Sequence, residues 1–113
     1  MGLKEYLFGF SAESRACDFL QNHGFEIVCR NFRSRFGEID IVAKKDEILH
    51  FIEVKATQGE YETEYRLTKS KFEKITKAIN FYMLKENFNN EFQVDFIGIS
   101  KNSVNFIENI SAN

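Results

Sequence analysis

The chain has 113 residues, 43% of them apolar, and a formal net charge of −2. That length suits one domain with a real core, and that apolar content excludes a disordered chain. The charge argues against strong non-specific attraction to nucleic acid but leaves room for a local basic patch.

In chain order, the opening MGLKEYLFGF has no long apolar segment ending in a small-residue cleavage site, and no Ser or Thr at position 6. No apolar run approaches the roughly 18 residues that span a membrane. A soluble cytoplasmic protein with no membrane partner is therefore expected. The first helix is expected over Ser11–Asn22, with Ser11 as N-cap and Gly24 as its stop. Its apolar stripe is Ala12, Ala16, Phe19 and Leu20. Cys17 and Cys29 match no metal-ligand spacing and read as small apolar residues of a reducing compartment. FEIVCR, 25–30, reads as a strand. It is followed by strands at 36–43 and 48–55, with Lys44–Glu47 turning between them. A second helix over Lys69–Glu86 follows, capped by Thr68, with Phe72, Ile75, Ile79, Tyr82 and Met83 as its core face. EFQVDFIGIS, 91–100, is another strand, SVNFIEN is a short edge strand, and the tail from about Asn109 is expected to fray.

There is no internal repeat, no low-complexity block and no proline-marked linker, so 1–113 reads as a single domain. The order α-β-β-β-α-β, with a further edge strand, predicts an α/β fold. Three strands joined by short turns form an antiparallel meander. The second helix then crosses over to make the next strand parallel. The result is a mixed sheet flanked by helices.

FGEIDIVAKKDEILHFIEVK, 36–55, carries unusual charge for two apolar strands. Residues two apart share a face, so Glu38 joins Asp40 and Glu53 joins Lys55. A two-residue loop at Asp46–Glu47 and a four-residue loop give the same register, with Asp40 opposite Glu53 and Glu38 opposite Lys55. A three-residue loop would separate these faces. Ile39, Ile41, Ile52 and Val54 would form the opposite, buried layer. Opposed carboxylates repel unless a cation, a shared proton or water relieves them. The pattern fits either a solvated face or a site for a hard divalent cation and a phosphate.

Two helix residues fall on apolar faces. Glu13 lies between Leu20 and Cys17 on the helical wheel, as a helix-dipole partner or a third carboxylate over the sheet. Lys71 lies beside Ala78 and Tyr82, either snorkelling or contacting phosphate at a helix N-terminus. Lys69, Lys74 and Lys77 read as a solvated face. Arg30, Arg33 and Arg35, interleaved with Phe32 and Phe36, suit phosphate-backbone contact or a solvated loop. His23 and His50 read as isolated.

Along nearly its whole length the chain resembles the YraN-like bacterial proteins. That family is placed in the PD-(D/E)XK nuclease superfamily, near the Holliday-junction resolvases. The resemblance is carried by GFSAESRACDFL, GFEIVCRNFRSRFGEIDIVA, HFIEVK, KFEKITKAINFY and VDFIGI. It implies a restriction-endonuclease-like fold and a metal-dependent nuclease acting on DNA, branched or damaged DNA included. Asp40, Glu53 and Lys55 would be catalytic. Asp40, Glu53, Glu13 and the backbone carbonyl of Val54 would hold Mg²⁺ or Mn²⁺. Lys71, Arg30, Arg33 and Arg35 would bind DNA, and Glu38 matches the glutamate of the GEID motif. Folds of this kind often form homodimers to engage two strands. The chain departs from the pattern at Ala12, Thr57 and the acidic loop 58–67. A nucleic-acid-binding module without cleavage, or a partner-binding domain, are the alternative readings.

Overall fold

The computed structural model describes residues 3–56 and 68–110, and the side chains of 12–56 and 68–110. Thr57 and the acidic loop 58–67 lie outside the described residues. The elements are α1 (Leu3–Asn22), β1 (Glu26–Ser34), β2 (Gly37–Lys45), β3 (Ile48–Ala56), α2 (Lys69–Lys85), β4 (Phe92–Ile99) and β5 (Val104–Ile107). They build one five-stranded sheet in the order β1-β2-β3-β4-β5. All neighbouring strands are antiparallel except β3 and β4, which are parallel. The fold is α/β with the restriction-endonuclease-like core expected from the sequence, extended by β5 as the edge strand. No helix among the described residues is long and apolar enough to cross a membrane.

Each helix covers one face of the sheet. Ala12, Ala16, Cys17 and Leu20 of α1 pack on Ile41, Ala43, Ile52, Ile97 and Ile99. Ile75, Ala78, Ile79 and Tyr82 of α2 pack on Val42, Leu49, Phe51 and Val94. Amphipathic spacing at the helical period accounts for both stripes. Phe72, expected in the α2 core, is instead 39% exposed.

Helix α1 starts at Leu3, so Ser11 lies inside it and is not a cap. The amide ladder runs through Gly9 and Ser11, whose weak propensities cost only about 1 kcal/mol or less each. Its end agrees with the sequence reading. Gly24 takes φ +87, its amide donates to Gln21, and the Phe25 amide donates to Leu20. These are the two bonds of a Schellman stop. At α2, Thr68 caps as expected, its Oγ1 accepting the Lys71 amide at 3.2 Å.

Strand β1 runs past its expected end at Arg30 to Ser34, so Arg33 is a strand residue as well. The register shifts between Ile27 and Cys29, and Asn31 sits at φ +54, a left-handed conformation that Asn tolerates better than most residues. The break at Asn31 switches faces. Arg30 pairs with Ile41, which packs under α1, while Phe32 pairs with Ile39, and both pack under α2. Ile39 therefore leaves the layer of Ile41 and Ile52 in which simple alternation placed it.

At the chain's end, the Asn109 amide donates to Asp95 Oδ1 at 2.7 Å, and Ile110 packs against the α2-side core. Fraying was expected to begin at Asn109; residues 111–113 lie outside the described residues.

A Cβ at Gly24 would meet Lys45 Cε at an ordinary 3.6 Å, so backbone strain alone penalises substitution. Gly24→Ala should cost about 1 kcal/mol, measured as a lower urea midpoint at unchanged m.

Candidate functional site

The β2–β3 turn is Asp46–Glu47, both at positive φ, as a two-residue hairpin of the I′ kind requires. It pairs Lys45 with Ile48, Lys44 with Leu49 and Ile41 with Ile52, which is the expected register. The ladder ends at Ile41–Ile52, one step before Asp40 would meet Glu53. There the Val54 amide donates to Asp40 Oδ2 at 2.8 Å. A side chain has taken over a bond that the ladder would otherwise supply.

That position is electrostatically costly. Burial pushes the Asp40 carboxyl up to about 6; the Val54 amide opposes this, and the charges of Glu53, Glu13 and Glu38 add to the rise. Asp40 is thus surrounded by like charge, as the sequence reading of opposed carboxylates implies.

Asp40 and Glu53 share a cleft of about 270 Å³ with Gly37, Glu38, Lys71, Lys74 and Ile75. Lys71 reaches the cleft from the first turn of α2, and Lys74 from the next turn on the same side. The sequence assigned Lys74 to a solvated face, yet it lines the acidic cleft. The signal was available in its three-residue spacing from Lys71. Lys55 is exposed and is not among the residues lining the cleft. It stands two residues after Glu53 on β3, beside Gly98 of β4.

Glu13 and the arginines separate. Glu13 Oε1 accepts from Arg30 Nε at 3.2 Å and Asn31 Nδ2 at 2.9 Å, so this carboxylate is committed across α1 and β1. Arg30 also reaches Ser14 Oγ at 3.4 Å. Arg33 pairs with Glu38 at 3.5 Å, both well exposed, a contact worth little in water. Arg35 stacks on the Phe36 ring, 4.9 Å from its centroid. The three arginines therefore have three different surroundings.

His50 is not isolated. It is buried, and its Nδ1 bonds Asp95 Oδ2. Asp95, fully buried, also accepts from Gln93 Nε2 at 2.8 Å and from the Asn109 amide. This group is remote in sequence, so no local spacing revealed it. It fastens the segment after β5 to the sheet. His23 Nδ1 lies 2.8 Å from the Phe19 carbonyl and caps α1 locally.

Two convergent carboxylates suit a hard divalent cation. Among the described residues no three His, Cys, Asp or Glu side chains converge as a metal cage. Mg²⁺ is commonly held by one or two carboxylates, with water and phosphate completing its shell. The charge repulsion at Asp40 is what such a cation would relieve. Asp40, Glu53 and the neighbouring backbone of Val54 fit that donor set, and two amines face it for an anion.

Residues 12–99 match the model of the uncharacterised protein family UPF0102. The chain is 66% identical over 111 residues to a UPF0102 protein of Campylobacter hominis, covering 98% of this chain and 99% of that one. It is 59% identical over 111 residues to one of Campylobacter fetus, with the same coverage. Against one of Campylobacter concisus it is 60% identical over 112 residues, again covering 98% and 99%.

The raised Asp40 carboxyl sets a pH dependence for the protein in chelator. Its folded value of about 6 exceeds the ordinary 3.8, so folding favours the protonated acid. That stabilisation is complete below about pH 4 and is lost as pH rises through 6. Asp40→Asn keeps an acceptor for the Val54 amide and removes the charge. It should stabilise the fold at pH 8 by on the order of 1–2 kcal/mol, seen as a higher melting temperature, and should flatten the decline between pH 4 and 7. Melts across that range in EDTA measure both effects.

Proposed function

The chain belongs to the uncharacterised protein family UPF0102, the YraN-like proteins its motifs resemble, and we propose that it is a metal-dependent nuclease hydrolysing DNA phosphodiester bonds. The observation that carries this reading is the single cleft in which Asp40 and Glu53 face Lys71 and Lys74. Acids for a cation and amines for a phosphate are the two halves of a phosphodiester site.

Asp40, Glu53 and the carbonyl of Val54 would hold Mg²⁺ or Mn²⁺, which when bound supplies Lewis-acid activation of phosphate and water. Lys71 and Lys74 would hold the non-bridging phosphate oxygens and offset charge gathering on them in the transition state. Lys55, its amine in solvent beyond Glu53, would orient the attacking water. Glu13 would act through its bonds to Arg30 and Asn31, keeping negative charge near Asp40 and so favouring a cation there. Arg33, Arg35 and Glu38 would border the path of the DNA strand. Two copies would present one cleft to each strand of a branched substrate.

A second reading is a nucleic-acid-binding module that does not cleave. Two observations favour it: Lys55 does not line the cleft, and no third acidic ligand converges there among the described residues.

Purified protein with branched, single-stranded and duplex DNA, with Mn²⁺ or in EDTA, separates the readings. The nuclease reading expects cleavage that needs metal and falls about 100-fold or more in Asp40→Asn and in Glu53→Gln. Lys74→Gln should weaken binding and reduce its salt dependence by about one ion. Tight binding without cleavage in Mg²⁺ or Mn²⁺ supports the module. Neither binding nor cleavage would remove nucleic acid from the reading altogether.

A further inference from the structure

The β1–β2 hairpin ends in the turn residues Arg35 and Phe36. Ser34 Oγ shapes this turn, accepting the Phe36 amide at 3.1 Å and lying 3.1 Å from the Gly37 carbonyl. Gly37 and Glu38, the next residues, line the acidic cleft. The tip therefore sits on the cleft's rim. Phe36 meets Phe81 of α2 with ring centroids 5.8 Å apart, and Phe81 lies 6.2 Å from Phe32. Phe81 is 39% exposed.

Cations attend this aromatic strip. The Arg35 guanidinium lies over Phe36 at 4.9 Å, and Lys85 Nζ lies 5.7 Å from the Phe32 centroid. The exposed Phe81 ring and the cations over its neighbours, half-buried Phe36 and buried Phe32, would be poor cover for an apolar protein partner. They match a nucleotide strand, which offers a π-face and a phosphate at every step. Lys74 and Phe81 are seven residues apart on one side of α2, about 10 Å along its axis. At about 3.4 Å per stacked nucleotide, that is about three nucleotides.

Resting on the nuclease reading, we propose that Phe81 and Phe36, with Arg35, form a stacking platform for an unpaired base about three nucleotides from the phosphate held at Lys71 and Lys74. The substrate class is then a strand unpaired beside the scissile bond, because a base inside a continuous duplex cannot offer its face to a side chain. A single-stranded, flapped or frayed end meets this requirement and an intact duplex does not.

The test uses the full chain in EDTA, with a single-stranded thymidine oligonucleotide carrying 2-aminopurine at successive positions, the matching duplex, and a uridine RNA oligonucleotide. Anisotropy gives affinity, and quenching of 2-aminopurine reports stacking. The expected result is about tenfold tighter binding of single strand than of duplex, with quenching at one position and not along the whole strand. Phe81→Ser should weaken single-strand binding about tenfold and abolish the quenching, while leaving duplex binding within about twofold. Phe81→Tyr should restore both. Phe81 is partly exposed, so Phe81→Ser is expected to fold; a thermal melt checks this, and Phe81→Leu serves as a second variant that keeps apolar bulk without a ring. Stacking on RNA as well as DNA supports the platform.

Equal affinity for duplex, or single-strand binding and quenching unchanged in a folded Phe81→Ser, overturns it. So does a Phe81→Ser that changes only the sedimentation mass, since the strip would then cover a second copy of the chain. Metal-dependent cleavage with no strand preference sinks the platform alone. Strand stacking with no cleavage in Mn²⁺ supports the platform and sinks the nuclease reading alone.

Discussion

The structure turns on the point where β2 and β3 part. Regular pairing stops at Ile41–Ile52, and the next backbone amide, that of Val54, is satisfied by the carboxylate of Asp40. Val54 is half-buried, and leaving its amide without a partner would cost on the order of 1 kcal/mol, so this bond holds the opening in shape. It also fixes Asp40 where burial and three other carboxylates work against its ionisation. An apolar residue at position 40 would relieve that repulsion but leave the Val54 amide unsatisfied. The strand opening and the acid inside it are one feature.

The second irregularity, in β1, arranges what surrounds that opening. Asn31 at positive φ turns Arg30 toward α1, where it engages Glu13. The same break turns Phe32 toward α2, where its ring meets Tyr82 at 4.9 Å. One residue thus divides a short basic and aromatic segment between opposite faces of the sheet. Arg15 Nη1, donating to the Ser100 carbonyl at 2.8 Å, fastens α1 to the far end of β4.

Much of this was legible in the sequence, for definable reasons. The α2 stripe follows a helical period strong enough to read directly, with only its first member, Phe72, misjudged. The β2–β3 register followed because both permissible even-numbered loops gave the same answer, which placed Asp40 and Glu53 together. Period-two reasoning fails, however, once a residue adopts a left-handed conformation. Ile39, which pairs with Phe32 beyond the break at Asn31, was accordingly placed in the wrong layer, and β1 was ended at Arg30, one residue before it. Asn31 is a type that tolerates this conformation, but its type alone does not say that it adopts it. The link from His50 to Asp95 needs two strands brought side by side by a crossover, which spacing cannot supply. The start of α1 was misplaced because Ser11 resembles a cap, while the helix continues through it.

The sheet's spatial order equals its order in the chain. Each strand after the first is laid against its predecessor, and only the step from β3 to β4 requires a long crossover. Such a sheet can grow from one edge as the chain leaves the ribosome, N-terminal part first, with mostly short loops to close. The β2–β3 hairpin, and with it the pair Asp40 and Glu53, can therefore form before α2 has been synthesised. The nascent protein would then pass through a stage in which the acids are already gathered while the lysines that face them have yet to arrive.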